Sequence, residues 1–233
     1  MFLDWTYVVL VLPAVIFAFW ASAKVNSTYG EFSKQFSSKN ITAFQAARIV
    51  LDSNGLTNVQ IERVSGNLTD HFDPKANIIR LSDNVYSSTS TAAIGVACHE
   101  VGHAIQYSVD YAPAKFRMAI VPITNIGSKL SMPLILLGII LGAFSTVFFN
   151  LIYVGIACFG LSTVFQLVTL PTEFDASKRA IESIEYNNIL LGEEVDGAKK
   201  VLTAAALTYV AALAVSLMQF IRLMLLFGGR RRN

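Results

Sequence analysis

Three stretches of this 233-residue chain carry no charged side chain, and their lengths restrict the folds available to it. They occupy residues 5–23, 130–172 and 201–221. A helix that crosses the hydrocarbon core of a membrane needs about 20 apolar residues, so the outer stretches match one span each and the middle one matches two. Composition agrees, because 54% of residues are hydrophobic and only 15% are charged. The sequence therefore predicts four membrane-spanning helices.

Two alternatives to these spans are a cleaved signal peptide at the start and a buried soluble hairpin in the middle. Ala-Ser-Ala at residues 21–23 resembles a signal-peptide cleavage site, but the basic start of a signal peptide is missing. A buried soluble hairpin in the middle stretch would need more covering surface than the chain offers. We expect the turn of a membrane hairpin at Asn150, the most polar residue of that stretch. The predicted segments are a first span (1–23), a polar domain (24–115), an interfacial connector (116–131), a transmembrane hairpin (132–170), a second polar segment (171–200), a fourth span (201–228) and a basic tail (229–233).

The polar domain reads as a small α+β fold. Residues 41–51 have apolar side chains at helical spacing, and Thr42 is a suitable cap for that helix. Residues 59–64 alternate and predict a strand, and residues 77–81 predict a second strand. A longer helix follows, capped within 87–90 and ending near 109. The second strand could pair with an extended peptide, or could simply pack on this helix as part of a small hairpin.

The motif His-Glu-Val-Gly-His at residues 99–103 lies on that longer helix. Because a helix turns about 100° per residue, side chains four apart emerge from the same face. Two imidazoles at this spacing are typical ligands of one zinc ion, and Glu100 beside them is a candidate general base. The alternative is a helix with two surface histidines, but unpaired polar groups are costly among such apolar flanks. The motif indicates metal-assisted hydrolysis by His99, Glu100 and His103.

Catalytic zinc usually has three protein ligands, so the motif leaves one ligand to be found. Four spans place the two polar segments on the same side of the membrane, so either can supply it. Glu173 opens the second polar segment and is our candidate. The alternative is that Glu173 is only an acidic residue in the first turn of a helix, where the helix dipole favours a negative charge. Further glutamates follow at Glu182, Glu185, Glu193 and Glu194, and we expect the later pair to form a solvated surface.

The motif, the two-span hairpin and Glu-Phe-Asp-Ala at 173–176 together resemble integral-membrane zinc metallopeptidases of the gluzincin class. That class includes the bacterial heat-shock membrane protease and the CAAX prenyl protease. Residues 64–74 and 170–177 are similar to the bacterial YugP-like neutral zinc metallopeptidases, and the likeness covers most of the chain. The resemblance implies a gluzincin-like domain with Zn²⁺ bound by His99, His103 and Glu173, and catalysis by Glu100. One departure is Ser177, where the heat-shock and prenyl proteases have an aspartate that supports a ligand histidine.

The resulting hypothesis is a membrane-embedded zinc endopeptidase. Zinc-bound water has a pKa near 7, and Glu100 would take its proton and pass it to the leaving amine. His71 is the candidate donor to the oxyanion or the substrate, with Arg179 and Tyr107 behind it. A purely structural role for His71, in a turn between Asp70 and Asp73, is the alternative.

Other classes of function remain open from the sequence. The protein could be an inactive, zinc-stabilised scaffold that binds membrane proteins for quality control; a transporter is disfavoured because its spans hold almost no charge. The expected partners are a peptide or membrane-protein substrate and the lipid bilayer, and a net charge of +2 gives no case for nucleic acid. We expect a multi-pass protein of the cell membrane. The lysines and arginines beside the polar segments favour a cytoplasmic active site, although Arg230, Arg231 and Arg232 favour the opposite orientation.

Overall fold

The computed structural model describes residues 4–67 and 69–228. The predicted basic tail, with Arg230 to Arg232, lies outside the described residues, as do the first three residues of the first predicted span. The described residues form two compact units. A helix unit contains residues 4–20, 116–170 and 209–228, and a sheet unit contains the described residues of 21–115 and 171–208.

The described elements are mainly helical. In chain order the helices are α1 (Leu12–Phe32), α2 (Ala43–Ser53), α3 (Asp83–Tyr86), α4 (Thr91–Ser108), α5 (Ala112–Leu141), α6 (Asn150–Tyr186) and α7 (Glu193–Gly228). The strands are β1 (Gln60–Val64), β2 (His71–Asp73) and β3 (Ile78–Ser82). A π-helical turn, Tyr7–Val11, precedes α1, and a 3₁₀ turn, Thr146–Phe149, precedes α6.

Four of these helices are long and apolar enough to cross a membrane, as the sequence predicted. They are α1 with its preceding turn (Tyr7–Phe32), α5, α6 with its preceding turn (Thr146–Tyr186), and α7. Their most apolar windows have mean hydropathies between 1.5 and 2.2. Each of these helices extends beyond the charge-free stretch that revealed it and continues into residues that carry charges.

The hairpin of α5 and α6 turns over residues 142–149, directly before the expected Asn150, since α5 ends at Leu141 and α6 begins at Asn150. The two helices run antiparallel and approach closely at glycines. A Cβ on Gly155 would lie 2.7 Å from Cγ1 of Ile135 and 2.8 Å from the carbonyl oxygen of Ser131. Glycine therefore permits the backbones to touch, which is how helices associate in the absence of a hydrophobic driving force.

Residues 116–131 form no separate element, contrary to the predicted connector. They are the first part of α5, which runs without a break from Ala112 to Leu141 and includes Pro122 and Pro133. Proline and Lys129 weaken the sequence signal for a span there. Long membrane helices nevertheless tolerate proline, because neighbouring groups can satisfy the freed backbone atoms.

The sheet unit confirms the predicted helix and both predicted strands. Thr42 caps α2, and its hydroxyl accepts from the Gln45 amide while the Gln45 side chain accepts from the Thr42 amide. β3 is the central strand, with β1 parallel to it on one side and β2 antiparallel on the other. The sequence missed β2, because a strand of three residues has no readable alternation. Because β1 and β2 pair with the two edges of β3, this strand has no free edge with which to bind an extended peptide.

The core of the sheet unit lies between the sheet and helices α2 and α4. Ile79 and Leu81 of β3 are fully buried, and they meet apolar residues of both helices. Helix α4 is capped by Ser90, whose hydroxyl accepts from the Ala93 amide, and most of its residues are buried. This burial holds the motif helix rigidly in the centre of the unit.

Candidate metal centre

A close crossing of α4 and α6 brings the two halves of the site together. The contact point on α4 is Gly102, and a Cβ there would overlap the backbone carbonyl of Ala176 on α6. Only glycine allows this approach. Because Gly102 stands next to His103, and Ala176 lies one turn from Glu173, the crossing sets the motif histidines opposite that carboxylate.

His99, His103 and Glu173 converge on one point. Their ligand atoms all lie within 4.8 Å of one another. Oε2 of Glu173 is 3.3 Å from Nε2 of His99 and 3.6 Å from Nε2 of His103. The two imidazole rings are nearly perpendicular, with centroids 4.7 Å apart. The structure therefore brings together three of the predicted site residues from elements 70 positions apart in the sequence.

The electrostatics of this group suit a bound cation. The Glu173 side chain is only 2% exposed, and a buried carboxylate needs a compensating positive charge. Burial would lower the pKa of His103, but its contact with Glu173 and the negative charges of Glu100 and Glu173 outweigh burial and raise that pKa. Two imidazole nitrogens and one carboxylate oxygen form a donor set that zinc accepts, with room for a fourth ligand. The residues present fit the ion.

The outer nitrogen of each histidine has a hydrogen-bond partner. Nδ1 of His99 lies 3.1 Å from Oγ of Ser177, and Nδ1 of His103 lies 3.1 Å from Oε1 of Gln106. With its proton on Nδ1, each ring donates outward and presents the lone pair of Nε2 to the centre. Ser177, the position of the departure noted in the sequence, therefore contacts the outer nitrogen of His99.

Gln106 connects His103 to charged groups on α6. Its Nε2 donates to the carbonyl oxygen of Thr172 at 2.7 Å and to Oδ2 of Asp175 at 2.9 Å. The same oxygen of Asp175 accepts from Nε of Arg179 at 2.6 Å. Gln106 was not predicted from the sequence, although an amide three residues after His103 in an apolar helix is a signal for it. Asp175 thus supports the site through an intermediate residue, even though it lies on a different face of α6 from Glu173.

Glu100 lies beside the three converging side chains without being one of them. Its side chain is largely buried, and Oε2 accepts a hydrogen bond of 2.9 Å from the Phe72 amide. That amide belongs to β2, one of the two edge strands of the sheet. A carboxylate that is held by the edge strand next to a metal site is placed to exchange protons with a molecule lying between them.

The structure does not bring His71 to this centre. In the register of the sheet His71 is opposite Arg80, and side chains paired in this way share a face. The imidazole contacts the Thr69 carbonyl oxygen at 2.8 Å and Nη1 of Arg80 at 3.4 Å, among exposed groups. Phe72 points to the opposite face, where it packs against Tyr107. The geometry thus favours the structural role that the sequence analysis left open for His71.

The other two residues considered as donors differ in their surroundings. Tyr107 is 43% exposed and stands edge-on to Phe72, near Glu100. The Arg179 guanidinium bonds to Asp175 and lies over the ring of Tyr111. Arg179 is therefore committed to the support of the site, whereas Tyr107 lies on the strand side of it.

Comparison with known proteins identifies the family of this chain. Residues 7–228 match the model of the family described as "Putative neutral zinc metallopeptidase". The chain belongs to this family. A membrane protease homologue from Bacillus subtilis (strain 168), named "Putative membrane protease YugP", is 43% identical over 97% of this chain and 99% of its own length. No solved structure matches the chain.

Family membership confirms the resemblance to the YugP-like neutral zinc metallopeptidases. Zinc is the metal of this family, and the chain has a His-His-Glu group placed to hold such an ion. The homologue's name and the four apolar helices agree that this family member is a membrane protein.

Proposed function

We propose that the protein is a membrane-embedded zinc endopeptidase of the gluzincin type. His99, His103 and Glu173 would hold the zinc ion, and Glu100 would be the general base. The observation that carries the proposal is the convergence of both motif Nε2 atoms on the buried Oε2 of Glu173. A purely structural zinc site usually has four protein ligands and no need of a buried Glu100 beside it.

The residues of the site have different roles in the proposed hydrolysis. When bound, zinc supplies a water-derived nucleophile near neutral pH and polarises the scissile carbonyl. The Glu100 carboxylate accepts the proton that the attacking water loses, and then gives a proton to the amine that leaves. Ser177 and Gln106 keep the rings of His99 and His103 in the orientation that presents Nε2.

The substrate proposed is an extended peptide or a segment of a membrane protein. Because β3 is central, such a segment could pair only with β1 or β2, and β2 is the edge strand that contacts Glu100. An added strand pairs through its backbone, so sequence specificity has to come from side-chain contacts. Phe72 donates its amide to Glu100, which means that a peptide along β2 would pass directly beside the general base.

We further propose that the sheet unit faces the cytoplasm of a bacterial cell. Lys24, Lys199 and Lys200 stand at the ends of spans next to this unit, and basic residues near spans favour the cytoplasmic side. Protease treatment of inside-out and right-side-out vesicles tests this proposal. Cleavage within residues 33–42 only in right-side-out vesicles would contradict it.

The test of the enzymatic proposal combines metal analysis with hydrolysis. The purified protein should bind one zinc ion per chain and release fragments from casein, and a zinc chelator should stop the release. Glu100→Gln should keep zinc and lose at least about a hundredfold in rate. Glu173→Ala should lose zinc, whereas Glu182→Ala, an exposed glutamate paired with Lys178, should keep it.

Two results would count against the proposal. Full hydrolysis by Glu100→Gln would remove Glu100 from the reaction, and unchanged zinc content in Glu173→Ala would mean that another group is the third ligand. Stoichiometric zinc with no cleavage of any peptide by the unmodified protein would favour the zinc-stabilised scaffold.

A further inference from the structure

A cavity lies in the sheet unit between α1 and α7, and it does not involve the metal centre. Its volume is about 530 Å³. The residues that define its chemistry are Lys24, Thr28 and Phe32 on α1, and Lys199, Lys200 and Thr203 on α7. None of the residues proposed for zinc binding or catalysis lines it.

The position of the lysines in the sequence places the cavity at the level of lipid headgroups. Lys24 is the first charged residue after the charge-free stretch 5–23, and Lys199 and Lys200 are the last before the stretch 201–221. Both stretches lie in helices apolar enough to cross a membrane. Charges directly at the ends of such stretches sit where a span leaves the hydrocarbon. The cavity therefore opens at the boundary between hydrocarbon and water.

The three ammonium groups have no ionic partner in the described part of the chain. None of them forms an ion pair there, although Lys200 lies 5.5 Å from the centre of the Phe32 ring. Glu31 and Asp196 also line the cavity. Glu31 lies about two helical turns beyond Lys24 on α1, and Asp196 lies about one turn before Lys199 and Lys200 on α7. The charged lining thus consists of three lysines and two acids, and it is positive overall.

A hydroxyl faces the same space. Thr28 is only 5% exposed and lines the cavity, and its side chain has no hydrogen-bond partner among the described residues. The hydroxyl is therefore available to donate to a polar ligand in the cavity. On the hydrocarbon side the lining becomes apolar, with Ala204 and Leu207 of α7.

We propose that this cavity binds the headgroup of one anionic phospholipid. The phosphate would lie among the ammonium groups of Lys24, Lys199 and Lys200 and accept from Thr28, while an acyl chain follows Ala204 and Leu207. This combination of cationic rim and apolar floor distinguishes a lipid from a free phosphate ion, which needs only the charges. Basic pockets between spans at the cytoplasmic interface are suited to anionic lipids.

The test uses the full-length protein, delipidated in an uncharged detergent. Native mass spectrometry then measures the binding of phosphatidylglycerol, phosphatidylcholine and soluble glycerol phosphate. One phosphatidylglycerol should remain bound, with at least a tenfold preference over phosphatidylcholine. Each lysine near an anionic surface is worth roughly fivefold in affinity, and Glu31 and Asp196 reduce the sum. The triple variant Lys24→Gln/Lys199→Gln/Lys200→Gln should therefore bind this lipid at least tenfold more weakly.

A matched control removes the same charge from exposed lysines away from the cavity. The variant Lys34→Gln/Lys75→Gln/Lys115→Gln should bind phosphatidylglycerol within twofold of the unmodified protein. The substitution Thr203→Phe fills the cavity without a change of charge, and it should also displace the lipid. Thermal unfolding of each variant verifies that it is folded.

Three outcomes would overturn the lipid site. They are unchanged phosphatidylglycerol affinity in either cavity variant, equal binding of phosphatidylglycerol and phosphatidylcholine, and binding of glycerol phosphate as tight as that of the lipid. The last result would identify a site for soluble phosphate compounds. None of these measurements depends on peptidase activity, so the lipid site can fail while the proposed function stands.

Discussion

Replacement of Gln106 by leucine separates the support of the metal centre from the packing of its helix. Gln106 is fully buried on α4, and leucine has a similar volume. The change removes the acceptor of the His103 Nδ1 proton and the donor to Thr172 and Asp175. Asp175 keeps its bond with Arg179, so no charge is left buried alone.

Two magnitudes follow from these contacts. The bonds at 2.7 and 3.1 Å join neutral groups and are worth about 1 kcal/mol each, and the bond to the Asp175 carboxylate is worth about 2 kcal/mol. The metal-free protein should therefore lose about 4 kcal/mol of stability. Loss of the partner of a ligand histidine typically weakens metal binding 10- to 100-fold, which is about 1.4 to 2.7 kcal/mol.

The measurement is zinc affinity by competition with a chromophoric chelator, together with thermal unfolding of the metal-free form. Gln60→Leu, an exposed glutamine of β1, is the matched control and should change neither quantity. Ser177→Ala tests the other histidine and should weaken zinc binding about tenfold. The reasoning is refuted if Gln106→Leu lowers the unfolding temperature but leaves the zinc affinity within twofold, because Gln106 would then act by packing alone.

Three further predictions concern the α4–α6 crossing at Gly102, the titration of His103 and the role of His71. Gly102→Ala should destabilise the protein by about 2 kcal/mol and weaken zinc binding, since its Cβ overlaps Ala176, whereas Gly30→Ala meets no atom within 4 Å and should do neither; equal unfolding temperatures would contradict this. The pKa of His103 is raised above its ordinary 6.5 in the native state, so the stabilisation it provides is complete below that value and is lost as pH rises through the native pKa. Unfolding temperatures with chelator present should fall over this range, and His103→Gln should flatten the fall; an unchanged slope in that variant would assign it to another group. His71→Ala should keep the hydrolysis rate within threefold, and a hundredfold loss would return His71 to the catalytic machinery.

Much of the fold could be predicted because its signals are local. Spans follow from runs without charge, α2 follows from a capping residue and helical spacing, and β1 and β3 follow from alternation. The predictions were weaker where local signals are poor. Residues 116–131 contain prolines that hide the continuity of α5, and β2 is too short for a pattern.

The candidate site likewise has features that local sequence signals predict and features that depend on the tertiary structure. The spacing of His99 and His103 requires no tertiary information, because four residues on any helix bring two side chains to one face. The topology of four spans made Glu173 a candidate without excluding Glu182 or the later acids. His71 could not be placed, because the side to which a strand residue points depends on the register of its sheet.

The sequence by itself determined the number of spans and the pair of histidines that face one point. Both are properties of a single helix, whose pitch and length are fixed by backbone geometry. Only the tertiary structure decided which carboxylate meets the histidines, and that Ser177 and Gln106 orient them. Those choices depend on how closely α4 and α6 cross at Gly102, and a contact between residues so distant in the chain leaves no periodic trace in either helix.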